Sequence, residues 1–370
     1  MRTKAIIGLL GLLLLVPLPA AAQSLLPDVE TLSKARVVAV AEGRVESVPG
    51  TVLTADVQTL TAEVLDGPEA GKVVTFRNDF TQLREGDVFY LRHLVSPMDG
   101  TEFYSVADPY RLPVLIGLAL VFLVLLVLFG GIQGIRGLVS LLGSLVLIFY
   151  LLLPGVVAGY PPVLVAVGVS SLIIIAGSYI THGFNRTTTS AVLGMIITVA
   201  ASGLAAWYVV GAASLSGFTG EESGYLHFQY GGTLDLVGIL MSGIIIGLLG
   251  VLYDVAIGQA VAVEELMSAG EHLSKGQVYR RAIRIGREHI GALVNTLAIA
   301  YVGAALPLLL LLENATAPID YIVNGEVIAT EIVRILIGAS GIILAVPITT
   351  ALAVLLVSGA RKGSSARHTH

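Results

Sequence analysis

The sequence predicts an α-helical polytopic membrane protein of about seven transmembrane helices, preceded by a small β-rich, barrel-like extracytoplasmic domain. Three observations lead there. Of 370 residues, 55% are hydrophobic and only 13% are charged, whereas a soluble domain carries about a quarter charged residues. After residue 112 the chain holds seven apolar segments that can each cross about 30 Å of hydrocarbon. Between residues 24 and 110, apolar and polar residues instead alternate in short runs divided by turn residues. The expected division is a signal peptide at 1–22, an extracytoplasmic β-rich domain at 23–110, a transmembrane helical domain at 111–360 and a cytoplasmic tail at 361–370.

The N-terminus has the build of a secretory signal. Arg2 and Lys4 precede an apolar run from Ile6 to Val16, and Ala20-Ala21-Ala22 offers a small-residue cleavage site. An uncleaved anchor is the alternative, and either one exports residue 24 onward.

Period-two alternation marks strands at Ala35 to Val40, Val57 to Val64, Lys72 to Phe76 and Val88 to Leu91. Turn signals stand at Pro49-Gly50, Asp66-Gly67-Pro68, Glu85-Gly86-Asp87 and Asp99-Gly100. About five short strands follow, either as a small barrel of the oligonucleotide/oligosaccharide-binding type or as a generic sandwich.

The seven spans are Pro113 to Phe129, Leu138 to Val157, Pro162 to Tyr179, Thr189 to Val210, Leu234 to Tyr253, Ile290 to Leu312 and Ile332 to Val357. The cations segregate. Arg136, Arg186, the set Lys275, Arg280, Arg281, Arg284 and Arg287, and the tail's Arg361, Lys362 and Arg367 all fall on one side if residue 110 is outside. The opposite loops hold Glu221, Glu222, Glu313, Asp320 and Glu326. The positive-inside rule then places the C-terminus in the cytoplasm.

Several stretches resemble the YibE/F family of bacterial membrane proteins. They are Arg136-Gly137-Leu138, Leu153-Pro154-Gly155 through Tyr160, and Thr181-His182-Gly183-Phe184-Asn185-Arg186. Gly247 through Tyr253-Asp254 and Ala256, then Glu264-Glu265-Leu266, continue the series. Gly286-Arg287-Glu288-His289-Ile290-Gly291, Asn295-Thr296-Leu297 and Leu306-Pro307 complete it. The resemblance covers about 130 to 357. It implies a multi-spanning protein of the bacterial cytoplasmic (inner) membrane and carries no activity with it.

The fifth span holds the densest pattern. Gly243, Gly247, Gly250 and Asp254 fall on one helix face, the glycines offering close packing to a neighbouring helix. Asp254 is a candidate for an ion or solute pathway, as are Glu264, Glu265, Asn295, Thr296 and His182. A helix break at Gly258 would bring Asp254 and Glu265 together; without it they stand about 16 Å apart along the axis. Arg280, Arg281, Arg284 and Arg287 surround an apolar stripe of Val278, Ala282, Ile285 and His289, as in a helix lying on anionic lipid. Arg287 is the alternative gate partner for Asp254 or Glu264. Ser190, Gly194, Thr198 and Ser202 form a small, partly polar stripe that serves either a pathway or close packing. Glu331 and Arg334 are spaced to pair, and Pro307 to kink the sixth span.

Enzyme motifs are scarce. Gly338-Ala339-Ser340-Gly341 matches the Gly-x-Ser-Gly of rhomboid-type intramembrane proteases, but no later span supplies a histidine base. The chain lacks cysteine, which excludes disulfides and thiolate metal sites. No basic tract alternates with aromatics, so nucleic acid is not an expected partner. No cofactor and no metal are expected. The expected partners are the lipid bilayer, further copies of the chain, and an envelope component bound through 23–110. The small-residue faces and the polar groups at the helix ends favour a secondary transporter or channel for a small ion or solute. The alternative is a non-catalytic accessory or assembly protein whose outer domain binds an envelope partner.

Overall fold

A computed structural model of the protein describes residues 29–47, 54–96, 100–270, 272–313 and 316–365. The expected signal peptide, the Pro49-Gly50 turn, Asp99 and the end of the tail lie outside the described residues. The chain divides into two compact units, Met1–Leu128 and Phe129–His370.

The first unit is an antiparallel half-barrel. Its strands are β1 (Val29–Ser47), β2 (Thr54–Val64), β3 (Val73–Asn78), β4 (Val88–Val95) and β5 (Glu102–Pro109). The sheet order is β3-β2-β1-β4-β5. Alternation sets the faces: Val74, Phe76 and Asn78 point inward from β3 while Val73, Thr75 and Arg77 point out. The core joins Ala35, Val37, Leu60, Ala62, Val64, Phe76, Phe89 and Leu91. Each large side chain so buried contributes about 1.5–3 kcal/mol.

β1 is far longer than the expected Ala35 to Val40. It runs 19 residues and serves two partners, β4 along Val29 to Arg36 and β2 along Ala35 to Ser47. Register shifts at Val37/Ala39 and Ala41/Arg44 interrupt its alternation, and such bulges let one strand bend between two neighbours. The Arg84 to Asp87 turn closes onto one of them: Gly86 N donates to Val37 O at 2.9 Å, and Val37 N to Asp87 O at 2.9 Å. Gly86 has φ +88°, a region that favours glycine.

The helices are α1 (Leu112–Leu147), a π-helical turn (Ile148–Leu152), α2 (Leu153–Val157), α3 (Pro162–His182), α4 (Arg186–Ala212), α5 (Glu221–Gln229), α6 (Leu236–Ala269), α7 (Lys275–Ala304), α8 (Leu306–Glu313), α9 (Ile319–Asn324) and α10 (Glu326–Ser365). Five helical segments among the described residues are long and apolar enough to cross a membrane, or six if α7 and α8, bent by 66°, form one span. Hydropathy alone predicts seven. The difference lies in Leu112–Val157, a 46-residue helical stretch in which two expected spans run together. It breaks from helical geometry at Gly131 (φ 52°, ψ −142°). At 1.5 Å per residue the limbs before and after Gly131 are about 28 Å and 39 Å long, each near or above the hydrocarbon thickness. Arg136 sits in the second limb and not in a loop. The α7–α8 bend falls at Ala305, immediately before Leu306-Pro307, as the proline predicts.

In the helical unit α4, α6 and α10 pack on one another, α3 lies on α6, and α7 lies on α10 and α6. Ala206, Val210, Leu240, Met241, Ile244 and Ile337 form one shared core. The unit has two distinct ends. At one, the Glu326 carboxylate accepts from Ser216 N at 2.7 Å and Gly217 N at 2.8 Å. At the other, an Arg186 Nη1 donates to Leu356 O at 3.2 Å. The acidic loop after α4 thus shares an end with the start of α10, and the Arg186 turn shares the opposite end with its C-terminal part.

Candidate functional site

The densest group of interacting titratable side chains among the described residues lies on the half-barrel. Glu69 comes from the turn after β2, Lys72 from the residue before β3, His93 from β4, and Glu102 and Tyr104 from β5. Lys72 Nζ donates to Glu69 Oε1 at 2.7 Å, to Tyr104 Oη at 2.6 Å and to Glu102 Oε2 at 3.4 Å. Tyr104 Oη donates to Glu102 Oε2 at 2.7 Å. His93 stacks on the Tyr104 ring, with centroids 4.4 Å apart and planes at 10°. Its Nδ1 lies 3.5 Å from Glu69 Oε2 and its Nε2 lies 3.5 Å from Glu102 Oε2.

The charges answer one another. The hydrogen bond from Tyr104, then the Lys72 ammonium, hold the Glu102 carboxyl below the ordinary carboxylate value. Hydrogen bonds to Glu69 and then Tyr104 keep Lys72 protonated above the ordinary lysine range. Burial, first, pushes the Tyr104 phenol up. Beside the cluster opens a pocket of about 220 Å³, whose wall includes Glu69, His93, Ser33 and Leu91. Glu69, His93 and Glu102 each offer a donor atom, all within 4.8 Å of one another.

None of these residues stood out in the sequence, because they come from three separate segments: the connection between β2 and β3, then β4, then β5. The β4–β5 ladder pairs Val95 with Glu102 and His93 with Tyr104; counting outward from the Asp99-Gly100 turn misses that register by two residues.

The residues singled out on the helices are arranged otherwise. α6 is continuous through Gly258, so Asp254 and Glu265 remain about 16 Å apart along its axis. Of the two alternatives left open, α6 does not take the break at Gly258 that would have brought the two acids into one ion site. Asp254, Glu264, Glu265, Asn295 and Thr296 are all exposed on the single chain, and His182 is half-buried. No hydrogen bond or ion pair joins these six among the described residues. Thr296 Oγ1 returns to Ala292 O at 2.9 Å. His182 instead meets Tyr253, ring centroids 6.2 Å apart.

The glycine row is largely uncovered. A Cβ at Gly243 or Gly250 would meet nothing within 4 Å, and only Gly247 is overlain, by the Tyr301 hydroxyl. Close packing occurs on α4 instead. Gly194 lies against Thr349, and Gly341 of α10 against Ser202 and Leu248. Thr198 Oγ1 donates to its own helix at Gly194 O, 2.8 Å. The Ser190 to Ser202 stripe therefore lines a helix contact. Gly338 similarly meets Leu297, so both glycines of the Gly-Ala-Ser-Gly motif are packing positions, while Ser340 is exposed.

The basic segment is the first part of α7, continuous with the expected sixth span, and not a separate surface helix. Its buried stripe is Val278, Ala282 and Gly286; Ile285 and His289 are exposed. Spacing of four carries the contact onto Gly286, where the backbone approaches Gln259 and Val346. Gln259 Nε2 donates to Ala282 O and Thr350 Oγ1, each at 2.8 Å, tying α6, α7 and α10 together. Arg280, Arg281, Arg284 and Arg287 are exposed, and no ion pair links Arg287 to Asp254 or Glu264 among the described residues. Arg334 does pair with Glu331, at 2.8 Å, and its guanidinium carbon lies 5.7 Å from the Tyr301 ring centroid.

Comparison with known proteins returns one family. The model of the YibE/F-like protein family matches residues 118–359, well over half of the chain. No curated protein and no solved structure matches.

Proposed function

The chain belongs to the YibE/F-like family, and within that membrane architecture we propose that it is an accessory protein whose half-barrel binds an envelope component. The half-barrel stands outside the bacterial cytoplasmic membrane, the helices anchor it, and the C-terminus is cytoplasmic. One observation carries this reading: Glu69, Lys72, His93, Glu102 and Tyr104 converge beside a pocket, whereas the candidate residues of the helices are scattered over an exposed surface. The signal-like N-terminus and the segregated cations support the orientation.

The cysteine-free sequence allows a direct test. Glu85→Cys, on an exposed turn, should react with a membrane-impermeant maleimide in intact cells. Labelling only after lysis would overturn the orientation. In a strain lacking the gene, chains carrying Glu69→Gln or His93→Ala should insert normally yet fail to restore the wild-type phenotype.

A second reading, a secondary transporter or channel for a small ion or solute, is favoured by Asp254, Asn295 and Thr296 on the exposed surface with the open Gly243 and Gly250. Polar groups facing hydrocarbon need partners, so such a pathway would be completed between copies. It predicts that Asp254→Asn abolishes function while Glu69→Gln does not.

A further inference from the structure

We propose that Glu69, His93 and Glu102 form a binding site for a divalent transition-metal ion of the zinc type, with the Lys72 ammonium as its built-in competitor. The proposal rests on the half-barrel being the ligand-binding part of the protein.

The donor set fits that class of ion. One imidazole and two carboxylates give three nitrogen and oxygen ligands, leaving a fourth position open, as in catalytic or exchangeable zinc sites. Imidazole discriminates against magnesium and calcium, which take oxygen ligands. The spacing also fits. With metal–ligand bonds of about 2.0–2.2 Å, neighbouring ligands on a tetrahedral ion stand about 3.4 Å apart. His93 Nε2 and Glu102 Oε2 are 3.5 Å apart. Glu69 faces the other ring nitrogen, Nδ1, at 3.5 Å. One donor atom from each of the three lies within 4.8 Å of the others, so Glu69 joins the same ion by a small rotation of its side chain.

A second observation points the same way. His93 Nε2 is buried and has no hydrogen-bond partner, although Glu102 faces it. A buried imidazole nitrogen left unpaired is unfavourable. An ion between it and the carboxylate would satisfy both. The ring is already held in place, stacked on Tyr104 with the side chain 13% exposed. Ligand orientation therefore needs little reorganisation.

Lys72 defines the competition. Its ammonium sits between Glu69 and Glu102, where it shows that the site attracts cations. The side chain is 41% exposed, on a long flexible stem, so it can swing into water when a doubly charged ion takes its carboxylates. The pocket beside Glu69 and His93 leaves room for water on the ion's open position.

The alternative is that the five residues only brace the open side of the half-barrel, joining the start of β3 to β5. The two roles separate experimentally. Full-length protein in detergent, stripped with chelator, is titrated with Zn²⁺ by calorimetry and with Co²⁺ by visible absorption. Wild type should bind one Zn²⁺ at this site, with Co²⁺ giving the intense visible bands of tetrahedral coordination. His93→Ala and Glu102→Gln should weaken that binding by at least about tenfold, and Lys72→Met should tighten it by a similar factor. Circular dichroism and gel filtration report whether each variant is folded; if His93→Ala is not, the conservative Glu102→Gln and Lys72→Met decide. A zinc affinity unchanged by His93→Ala and by Glu102→Gln, or a Lys72→Met chain that binds no more tightly than wild type, overturns the site. If the wild-type chain binds no metal but Glu69→Gln still abolishes function in cells, the metal inference fails and the accessory reading stands. If Glu69→Gln and His93→Ala are also silent in cells, both fail.

Discussion

Gly194→Ala tests the helical core most sharply, because the added methyl has nowhere to go. Its Cβ would lie 3.1 Å from both the Cα and the Cβ of Thr349 and closer still to Thr349 Oγ1. A rotamer change can move the hydroxyl, but it cannot move the Cα. The helices α4 and α10 must separate, and they form the most extensive helix–helix contact of the unit. Overpacking of this kind costs about 1–3 kcal/mol. Alanine's better helix propensity returns at most about 1 kcal/mol. The net expectation is a loss of about 1–2 kcal/mol, or a Tm lower by about 2–8 °C for a unit of this size. Gly250→Ala is the internal control. Its Cβ would meet nothing within 4 Å, so only the propensity term acts and the Tm should hold or rise. Both variants, purified in the same detergent, are followed by thermal unfolding at several protein concentrations. A Gly194→Ala chain as stable as wild type would refute the α4–α10 contact. A concentration-dependent loss in Gly250→Ala would show that a second copy covers the α6 face.

Other outcomes follow from the same geometry. Phe89 is fully buried in the half-barrel, so Phe89→Ala should destabilise that unit by about 3–5 kcal/mol, read as lost protease resistance of its strands. The Lys72 network should be stable only within a pH window. Glu102 is held below its ordinary value of 4.5 by Tyr104 and then Lys72, so its contribution is present above that value and is lost as pH falls through the lower folded value. Lys72 is raised above its ordinary 10.5 by Glu69 and then Tyr104, so its contribution is present below that value and is lost as pH rises through the higher folded value. Ultraviolet absorbance should show a tyrosinate transition above the ordinary 10.0 that disappears in Tyr104→Phe. Glu326→Ala removes the acceptor of two backbone N–H groups and the Ser216 hydroxyl. It should raise proteolysis of the loop after α4 without blocking insertion.

The half-barrel was legible where alternation is unbroken and obscure where it is not. β3 alternates without fault and reads almost to its ends. β1 reads as a third of its length, because before Ala35 the buried position is the polar Ser33 while Leu32 faces out, and beyond Val40 the Ala41/Arg44 shift resets the period. Spans were legible as hydropathy, yet hydropathy cannot say whether a glycine such as Gly131 turns one helix into two. The side-chain cluster was hidden for a different reason. Glu69, Lys72, His93, Glu102 and Tyr104 each look like ordinary surface residues, and only the ladder register and the curvature of the sheet bring them together.

Glycine rows show the same division between what a sequence states and what packing decides. Gly243, Gly247, Gly250 and Asp254 share a face of α6, and Ser190, Gly194, Thr198 and Ser202 share a face of α4; the two patterns read alike. Packing covers the second and leaves most of the first open. The aspartate accounts for part of the asymmetry. A stripe of glycine and hydroxyls can be buried cheaply, since Ser190 and Thr198 return their protons to Thr187 O and Gly194 O on their own helix. A carboxylate has no such internal partner and resists burial among apolar helices. Asp254 follows Tyr253, which lies against His182 at the C-terminal end of α3. That position places it near the end of the bundle marked by Arg186, where water or a second copy can reach the acid. An exposed α6 face is the arrangement that lets the chain keep a charge there.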